Sequence, residues 1–397
     1  MFDIIVVGAR CSGAPAAMLL ARKGYRVVMV DKDPPGSDML HSTHFVQPIA
    51  VSKLRKWGLL PNLEAECPSF ESYSFDLGVA KIEGHPPAVD GDRRAFCPRR
   101  NVLDPILVSG ALTAGVSYMP NTKVIDVTRS GDRVNGVRIV TEGGTEQVIN
   151  AEVVIGADGP GSTVAARVKA ASYHKASAQQ VTMWGYWSDV RADGLAVTSD
   201  AGVAVSLGLS SGGQSMVGVS WEMSCYKALR GEVEKNYYAS IEALRPQLAS
   251  QIKRGRLSSD LRLGSTRNFI RVPHGPGWVL LGDAGHMKDP CTAQGITDAF
   301  IDVDECTTLI DAGLNGGRDL DASLATWHVA RDERLIPFHE MSLKMGKFAT
   351  PDDNETALYR AISASAAATT QFLGLITAST DPREFFAPDN IGRLLAP

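Results

Sequence analysis

The stretch Ile4-Ile5-Val6-Val7-Gly8-Ala9-Arg10-Cys11-Ser12-Gly13 decides how the chain folds. Its first four residues are apolar and predict a strand, a glycine-containing turn follows, and a helix is expected to run to Arg22-Lys23 before Gly24 stops it. A second strand over residues 25–30 ends on Asp31. Strand, turn, helix and strand together span about thirty residues, which is the setting in which a glycine-rich turn predicts dinucleotide binding.

The chemistry of this unit points to a pyrophosphate and an adenosine. Gly8 permits the tight turn, and the free N–H groups at the start of the helix, with the positive end of its dipole, attract phosphate. Asp31 can accept hydrogen bonds from ribose hydroxyls and disfavours a 2′-phosphate, which predicts FAD or NAD and not NADP. Arg10 replaces the second glycine of the pattern, so its side chain must either turn outward or add its charge to phosphate binding. A tight turn in a protein without a nucleotide is the alternative.

Composition excludes several other classes of protein. The chain has 397 residues, 44% hydrophobic and 21% charged, with a formal net charge of -4, which indicates two to three globular domains and no nucleic-acid partner. No apolar run reaches the eighteen or so residues of a membrane span and no charged leader precedes the first strand, so we predict a cytoplasmic protein with no membrane partner. Six cysteines without a C-x-x-C pair predict neither a disulfide framework nor a metal site.

The rest of the chain alternates between two kinds of pattern. Residues 123–128, 134–140 and 147–155 predict an antiparallel meander that runs into Gly156-Ala157-Asp158-Gly159. Residues 177–271 predict a second antiparallel sheet, with a helix over 231–248. The first pattern then returns, because a buried strand over 277–281 leads into Gly282-Asp283-Ala284-Gly285 and, through Pro290, to a helix near Thr297.

The order of these signals resembles the FAD-dependent monooxygenases of the para-hydroxybenzoate hydroxylase fold, together with the related geranylgeranyl reductase-like and flavin halogenase oxidoreductases. Four motifs carry the resemblance, and together they are specific for FAD: the opening turn with Asp31, the stretch 99–104, the stretch 156–159, and the stretch from Gly282 to Gly295. The resemblance implies an α/β (α+β) chain with a Rossmann-like FAD-binding domain, an inserted antiparallel β-sheet substrate domain and C-terminal helices. The expected segments are 1–75, 95–175 and 265–320 for FAD, 76–94 and 176–264 for the substrate, and 321–397 for the helical region.

The resemblance also implies which residues hold FAD. They are Gly8, Arg10, Cys11, Ser12, Gly13, Asp31, Lys32, Arg100, Val124, Asp158, Gly282, Asp283, Pro290, Gly295 and Ile296. Arg100 is expected at the phosphate or ribose, the backbone of Val124 at the adenine, and Asp283 at the ribitol hydroxyls. Gly295 and Ile296 should begin a helix whose N–H groups face the flavin N1 and C2 oxygen. A surface arginine, a helix-capping aspartate and a turn aspartate are the plainer interpretations of Arg100, Asp283 and Asp158.

The activity that the resemblance implies is monooxygenation of a small aromatic or heteroaromatic substrate. NADH or NADPH would reduce FAD, molecular oxygen would add at the flavin C4a, and the hydroperoxide would transfer one oxygen. Only one dinucleotide fingerprint is present, so the nicotinamide would dock transiently. A flavin-dependent reductase, a halogenase working with a separate flavin reductase, and a non-catalytic FAD-binding protein are the alternatives. The W-x-W-x-I-P signature of the halogenases and the (Y/F)-x-W-x-F-P signature of the reductases are not found.

Aromatic residues of the inserted sheet are the candidate substrate contacts. Trp184, Tyr186 and Trp221 are proposed to line the pocket, and strand alternation places Trp187 on the face opposite Trp184 and Tyr186. His41, His44 and His286 lie near turns that the resemblance places around the flavin. His44 is the first choice for a polar substrate contact and the candidate catalytic residue, while core packing and a structural histidine are the alternatives. The helical C-terminus is a candidate surface for a homodimer.

Overall fold

The computed structural model describes residues 2–37 and 44–396, so His41 lies outside the described residues. A six-stranded sheet built around the opening β-α-β unit forms the centre of one half of the molecule. Its strands, in spatial order, are β20 (His274–Gly275), β21 (Trp278–Leu280), β11 (Val153–Gly156), β1 (Ile4–Val7), β2 (Val27–Val30) and β7 (Ser117–Met119). The strands from β21 to β7 are parallel, and β20 is antiparallel to β21. β1, β2, β11 and β21 are buried along their whole length, as a sheet covered on both faces requires.

Helices and a meander cover the two faces of this sheet. The helices of the chain are α1 (Gly13–Arg22), α2 (Pro48–Lys56), α3 (Leu60–Glu66), α4 (Arg100–Thr113), α5 (Thr163–Val168), α6 (Met223–Leu229), α7 (Val233–Leu244), α8 (Pro246–Ile252), α9 (Gly295–Leu314), α10 (Leu320–Met345), α11 (Asp353–Ala364), α12 (Ala366–Ile376), α13 (Pro382–Phe385) and α14 (Pro388–Leu395). One apolar core joins the sheet to α1, α2, α4 and α9. On the other face, the sheet packs against β8 (Lys123–Ser130), β9 (Arg133–Val140) and β10 (Glu146–Asn150), the predicted antiparallel meander.

The last predicted strand of the meander is in fact two strands. The pattern over 147–155 predicts one strand, but β10 ends at Asn150 and β11 begins at Val153. Between them, the N–H of Ala151 donates to Asn135 of the meander and the N–H of Glu152 donates to Asp3, next to β1. The chain therefore leaves one sheet and enters the other within two residues, a change of partner that a continuous β-forming pattern does not reveal.

A second, eight-stranded sheet forms the inserted domain. Along its main path the strands are β17 (Arg256–Leu257), β13 (Gln180–Ser188), β16 (Gln214–Glu222), β15 (Val203–Leu209), β14 (Gly194–Asp200), β4 (Ser72–Asp76) and β5 (Lys81–Gly84), and β18 (Arg262–Ser265) also pairs with β13. One face packs against α7 and α8, and the other against α11 and α12. The smaller sheets are β12 (Ser172–Ala176), β19 (Asn268–Arg271) and β22 (His286–Met287), and the pair β3 (Ser69–Phe70) and β6 (Ala95–Phe96).

Two predicted boundaries shift in this region. β4 pairs with β14 in the eight-stranded sheet, although residues up to 75 were expected in the FAD domain. The predicted helix over 231–248 is divided into α7 and α8, because Pro246 lacks the N–H that a continuing helix needs and disfavours a helical residue before it. No helix in the described ranges combines the length and apolar character that a membrane span requires.

Candidate flavin site

The opening turn is packed so closely that two of its glycines cannot be replaced without moving the backbone. Gly8 has a φ of +103°, and a Cβ placed on it would lie 2.3 Å from the carbonyl oxygen of Ala157. A Cβ on Gly13 would lie 1.8 Å from the carbonyl oxygen of Gly8. The turn therefore lies directly against the stretch 156–159, and these two motifs of the sequence meet at the carboxyl ends of β1 and β11.

Asp31 lies beside this turn at the end of β2. One of its carboxylate oxygens accepts the N–H of Ala9 at 2.6 Å, and the other accepts the N–H of Asp33 at 2.8 Å. Burial raises the pKa of Asp31, while the two backbone hydrogen bonds favour its ionised form. The carboxylate is thus fixed at the edge of the glycine turn, where the glycine pattern of the β-α-β unit predicts that a ribose binds.

Arg10 turns toward carboxylates of its own chain. Its guanidinium donates to Asp104 at 3.0 Å, to Asp33 at 3.1 Å, and to the carbonyl and hydroxyl oxygens of Ser37 at 3.1 and 2.9 Å. The Arg10 side chain is 17% exposed. The sequence offered two alternatives for Arg10, a side chain turned outward or a ligand of the phosphate. The structure shows a third arrangement, in which the Arg10 guanidinium forms ion pairs with two carboxylates of its own chain.

Asp104 is a residue of the site that sequence reasoning missed. Its other oxygen accepts Nε of Arg100 at 2.8 Å, with both side chains buried, and Sγ of Cys11 lies 3.7 Å from the same oxygen. Burial raises the pKa of the Cys11 thiol to about 12, so this cysteine is a neutral packing residue. The signal that could have found Asp104 is its position four residues after Arg100, a spacing that brings two side chains together on a helix such as α4. A cleft beside this cluster is lined by Ala9, Arg10, Asp31, Asp33, Pro34, Gly36, Ser37, Asp104, Val108 and Tyr118.

Asp158 caps a helix. Its carboxylate accepts the Ser162 hydroxyl at 2.5 Å and the backbone N–H of Thr163 at 2.6 Å, at the start of α5. Burial raises its pKa, and these hydrogen bonds oppose that effect. The local structure thus matches the turn-aspartate interpretation, and its neighbour Ala157 makes the close approach to the glycine turn.

The second strand-to-turn site lies against the first. Gly282 has a φ of +55°, and a Cβ on it would lie 2.1 Å from Oγ of Ser12 at the start of α1. Next to it, Asp283 is half-buried, and no hydrogen bond to its carboxylate is found within the described chain. Burial raises the pKa of Asp283, while the charges of His286 and Arg100 favour ionisation. An acceptor of this kind suits a polyol such as ribitol.

The helix predicted after Pro290 begins where expected, since α9 starts at Gly295. Around its start, the buried hydroxyls of Thr292 and Thr297 and the amide oxygen of Gln294 have no hydrogen-bond partner in the described chain. Buried polar atoms are nearly always satisfied, so this group calls for a polar ligand or ordered water at the helix start. The residues present therefore fit the pyrimidine edge of a flavin, with the helix N–H groups as further donors.

Three other residues of the predicted FAD set lie at or near the ends of strands and helices. Val124 is buried at the start of β8 and packs in the core between the meander and the six-stranded sheet, and Lys32 is exposed after β2. Ile296 is buried in the first turn of α9. None of these positions tests the contacts that the resemblance implies, which stay predictions.

The predicted substrate residues divide between the two faces of the inserted sheet. Trp184 and Tyr186 lie together on the face toward α11 and α12, and Trp187 lies on the other face, as alternation predicted. Trp221 is fully buried beside Trp187, and its indole N–H donates to Ser240 of α7 at 3.1 Å. The assignment of Trp221 to the pocket is therefore wrong, because β16 pairs it with Val181 and not with an even-numbered residue of β13.

His44 meets Tyr186 on the face that Trp184 shares. The Tyr186 hydroxyl is hydrogen bonded to Nδ1 of His44, and the two rings are stacked with centroids 5.8 Å apart. The guanidinium of Arg99 lies over the Tyr186 ring at 4.9 Å. His44 is buried and has a φ of 71°, an uncommon backbone conformation for a histidine. Arg99 directly precedes Arg100, so the start of α4 joins the cofactor cluster to the substrate sheet.

The histidine pair predicted near the flavin is thus separated: His286 contacts Asp298 of α9, whereas His44 contacts the inserted sheet. The two regions nevertheless adjoin, because Ala293, in the loop before α9, packs in the same apolar cluster as Trp184 and Tyr186. A pocket on this face would border the loop that precedes the flavin helix.

A parallel sheet with a dinucleotide turn at its centre, carrying an inserted antiparallel sheet whose inner face borders the loop before α9, is the architecture of an FAD-dependent oxidoreductase. The chain belongs to the FAD binding domain family, whose family model matches residues 1–335, and FAD is its cofactor. It is 28% identical over 320 residues to the menaquinone reductase of Mycolicibacterium smegmatis, covering 74% of this chain and 72% of the relative. It is 25% identical over 331 residues to 6-methylpretetramide 4-monooxygenase of Streptomyces rimosus, covering 80% and 77%. The crystal structure of p-nitrophenol 4-monooxygenase PnpA from Pseudomonas putida superposes with a TM-score of 0.80 at 16% identity, covering 96% of this chain and 98% of that chain, and so has the same fold.

Proposed function

We propose that this oxidoreductase is a monooxygenase that uses NADH or NADPH and molecular oxygen to hydroxylate a small aromatic or heteroaromatic compound. The observation that carries the proposal is the buried hydrogen bond between Tyr186 and His44, on the sheet face that borders the loop before α9. Bound FAD supplies the transfer of electrons from the nicotinamide to oxygen. The protein has to bind the substrate beside it, exclude water and control one proton.

Tyr186 and His44 are suited to that proton control. The Tyr186 hydroxyl can donate to, or accept from, a hydroxyl of the substrate while His44 Nδ1 holds the other end of the hydrogen bond. Both side chains are buried, so water competes little for this hydrogen bond. Trp184 provides an apolar aromatic surface on the same face, which supports an aromatic substrate.

The first experiment measures consumption of NADH and NADPH by the yellow holoprotein with a panel of phenolic and heteroaromatic compounds. We expect oxygen-dependent stimulation by at least one compound and a product heavier by one oxygen. Tyr186→Phe should lower kcat by about tenfold to a hundredfold while FAD stays bound. Trp187→Phe is the matched control, because Trp187 lies on the opposite face of the same strand. Equal loss in both variants, or none in either, would contradict the assignment of Tyr186.

A reductase is the second candidate, and the similarity to a menaquinone reductase favours it. It would add two hydrogens to a double bond of its substrate and would need no oxygen. Turnover under strictly anaerobic conditions, with a product heavier by two hydrogens, would replace the monooxygenase proposal. Flavin bleaching only in the presence of a separate flavin reductase would instead favour a two-component enzyme of the halogenase type.

A further inference from the structure

A buried ion pair lies between the Asp283 turn and the start of α9. Nζ of Lys288 is 2.7 Å from Oδ2 of Asp298, and the two side chains are 4% and 3% exposed. Lys288 follows β22, and Asp298 lies in the first turn of α9. Lys288 lies between Asp283 and Gly295, two residues predicted to bind FAD, and Asp298 lies three residues after Gly295.

The surroundings of the pair are closed. Nε2 of His286 lies 3.5 Å from the same oxygen of Asp298, and the ring of Phe338 lies 5.3 Å from the Lys288 ammonium. In the described ranges, Asp298 is the only carboxylate in ion-pair contact with Lys288. Burial alone would raise the pKa of Asp298, but the Lys288 charge and the hydrogen bond of His286 hold it well below its ordinary value. The 2.7 Å contact between two buried side chains of opposite formal charge makes this a buried ion pair.

Stability does not explain such a pair. Removing two charges from water costs several kcal/mol per ion, and apolar residues of similar volume usually stabilise a core as well or better. Here, however, the pair lies between residues predicted to bind FAD, and although burial is the main cause of the raised pKa of Asp283, the Asp298 charge adds to it. Charges in this region act on each other through protein and not through bulk water.

We infer that the charges of Lys288 and Asp298 act in opposite directions on the reduction potential of the bound flavin. Two-electron reduction leaves negative charge on the flavin, so a nearby cation favours the reduced form and a nearby anion disfavours it. A unit charge that acts over about 10 Å at an effective dielectric constant of about 20 changes such an equilibrium roughly tenfold. The pair would keep both effects in balance. The inference depends on the bound FAD and not on the reaction proposed above.

The test is the midpoint potential of the FAD in the holoprotein, measured by equilibrium reduction against a reference dye. Asp298→Asn leaves the cation without its partner and should shift the ratio of reduced to oxidised flavin upward by about tenfold, which is about +30 mV for a two-electron couple. Lys288→Met should shift the ratio downward. The double variant should return toward the wild-type potential, and Lys288→Arg, which keeps the charge, should stay within about twofold of the wild type.

Opposite signs in the two single variants are the result that a merely structural role would not give. Damage to the fold would shift both variants in the same direction or release FAD from both. A common direction, or potentials within about twofold of wild type in both, would overturn the inference. If one single variant does not fold, the other still tests the inference, because its potential must shift in the stated direction while Lys288→Arg and the double variant stay near the wild-type potential. Because the readout is a potential, this result is independent of any test for hydroxylation.

Discussion

Replacing Arg10 by methionine tests whether the residue that displaces the second glycine is part of the site. The change removes four hydrogen bonds, to Asp104, Asp33 and Ser37. The Asp33 carboxylate is 38% exposed, so that ion pair should contribute at most about 1 kcal/mol. The Asp104 carboxylate is 6% exposed, and a hydrogen bond between charged groups there should contribute about 1.5–3 kcal/mol. Arg100 still pairs with Asp104 in the variant, so we expect a total loss of about 2–3 kcal/mol in the free energy of unfolding.

Thermal unfolding and flavin retention measure this loss. Since about 1 kcal/mol corresponds to a shift of about 2–4 °C in the Tm of a domain of this size, Arg10→Met should lower the Tm of the holoprotein by about 5–10 °C. The dissociation constant of FAD, followed by the fluorescence of released flavin, should rise by at least about tenfold, because the residues that Arg10 joins line the cleft beside Asp31, where the adenosine is predicted to bind.

Two comparisons between variants test the role of Arg10. Asp104→Asn should cost more stability than Asp33→Asn, because the first carboxylate is buried between two arginines and the second is partly in water. Arg10→Gly restores the usual glycine pattern but should still weaken FAD binding. If Arg10→Gly binds FAD as tightly as the wild type, or if the two aspartate variants are equal, then the arginine only occupies a tolerated position.

Three further predictions concern packing and pH. Gly13→Ala should fail to retain FAD, because the added Cβ would lie 1.8 Å from a carbonyl oxygen of the same turn. Gly161→Ala is the control, because a Cβ at that position meets nothing within 4 Å. The absorbance of bound flavin in the purified variants should be lost in the first and normal in the second. Burial raises the pKa of Asp289 to about 6, above its unfolded value, so the free energy of unfolding should fall as pH rises from about 4 to 6. Asp289→Asn should therefore be more stable than wild type by at most about 3 kcal/mol at pH 7 and equal to it at pH 4. Urea unfolding at the two pH values measures this difference, and an equal difference at both would contradict it. Trp221→Phe should lower the free energy of unfolding by about 1–3 kcal/mol and leave KM unchanged. Trp184→Phe should instead raise KM for the aromatic substrate. A changed KM in Trp221→Phe would show that Trp221 lines the pocket after all.

Most elements around the FAD site follow from local sequence patterns, and one division of a strand does not. The β-α-β unit, the meander, the return of the chain to the first sheet after the insertion, and a helix near Thr297 were all predictable. Each depends on short-range signals, namely apolar periodicity, glycine turns and helix starts, which act within a few residues. The division of 147–155 into two strands was not predictable, because its cause is the choice of partner and not the local pattern.

The sequence by itself determined that the chain binds a dinucleotide at a glycine turn, because Gly8, Gly13 and Asp31 lie within one β-α-β unit whose geometry is local. Tertiary structure alone decided what those residues meet. Asp104 joins Arg10 across 94 positions, and His44 joins Tyr186 across 142. The physical reason is that charge pairing, burial and the face of a strand depend on neighbours that no spacing along the chain specifies, and these decide which side chains face the flavin and which belong to the core.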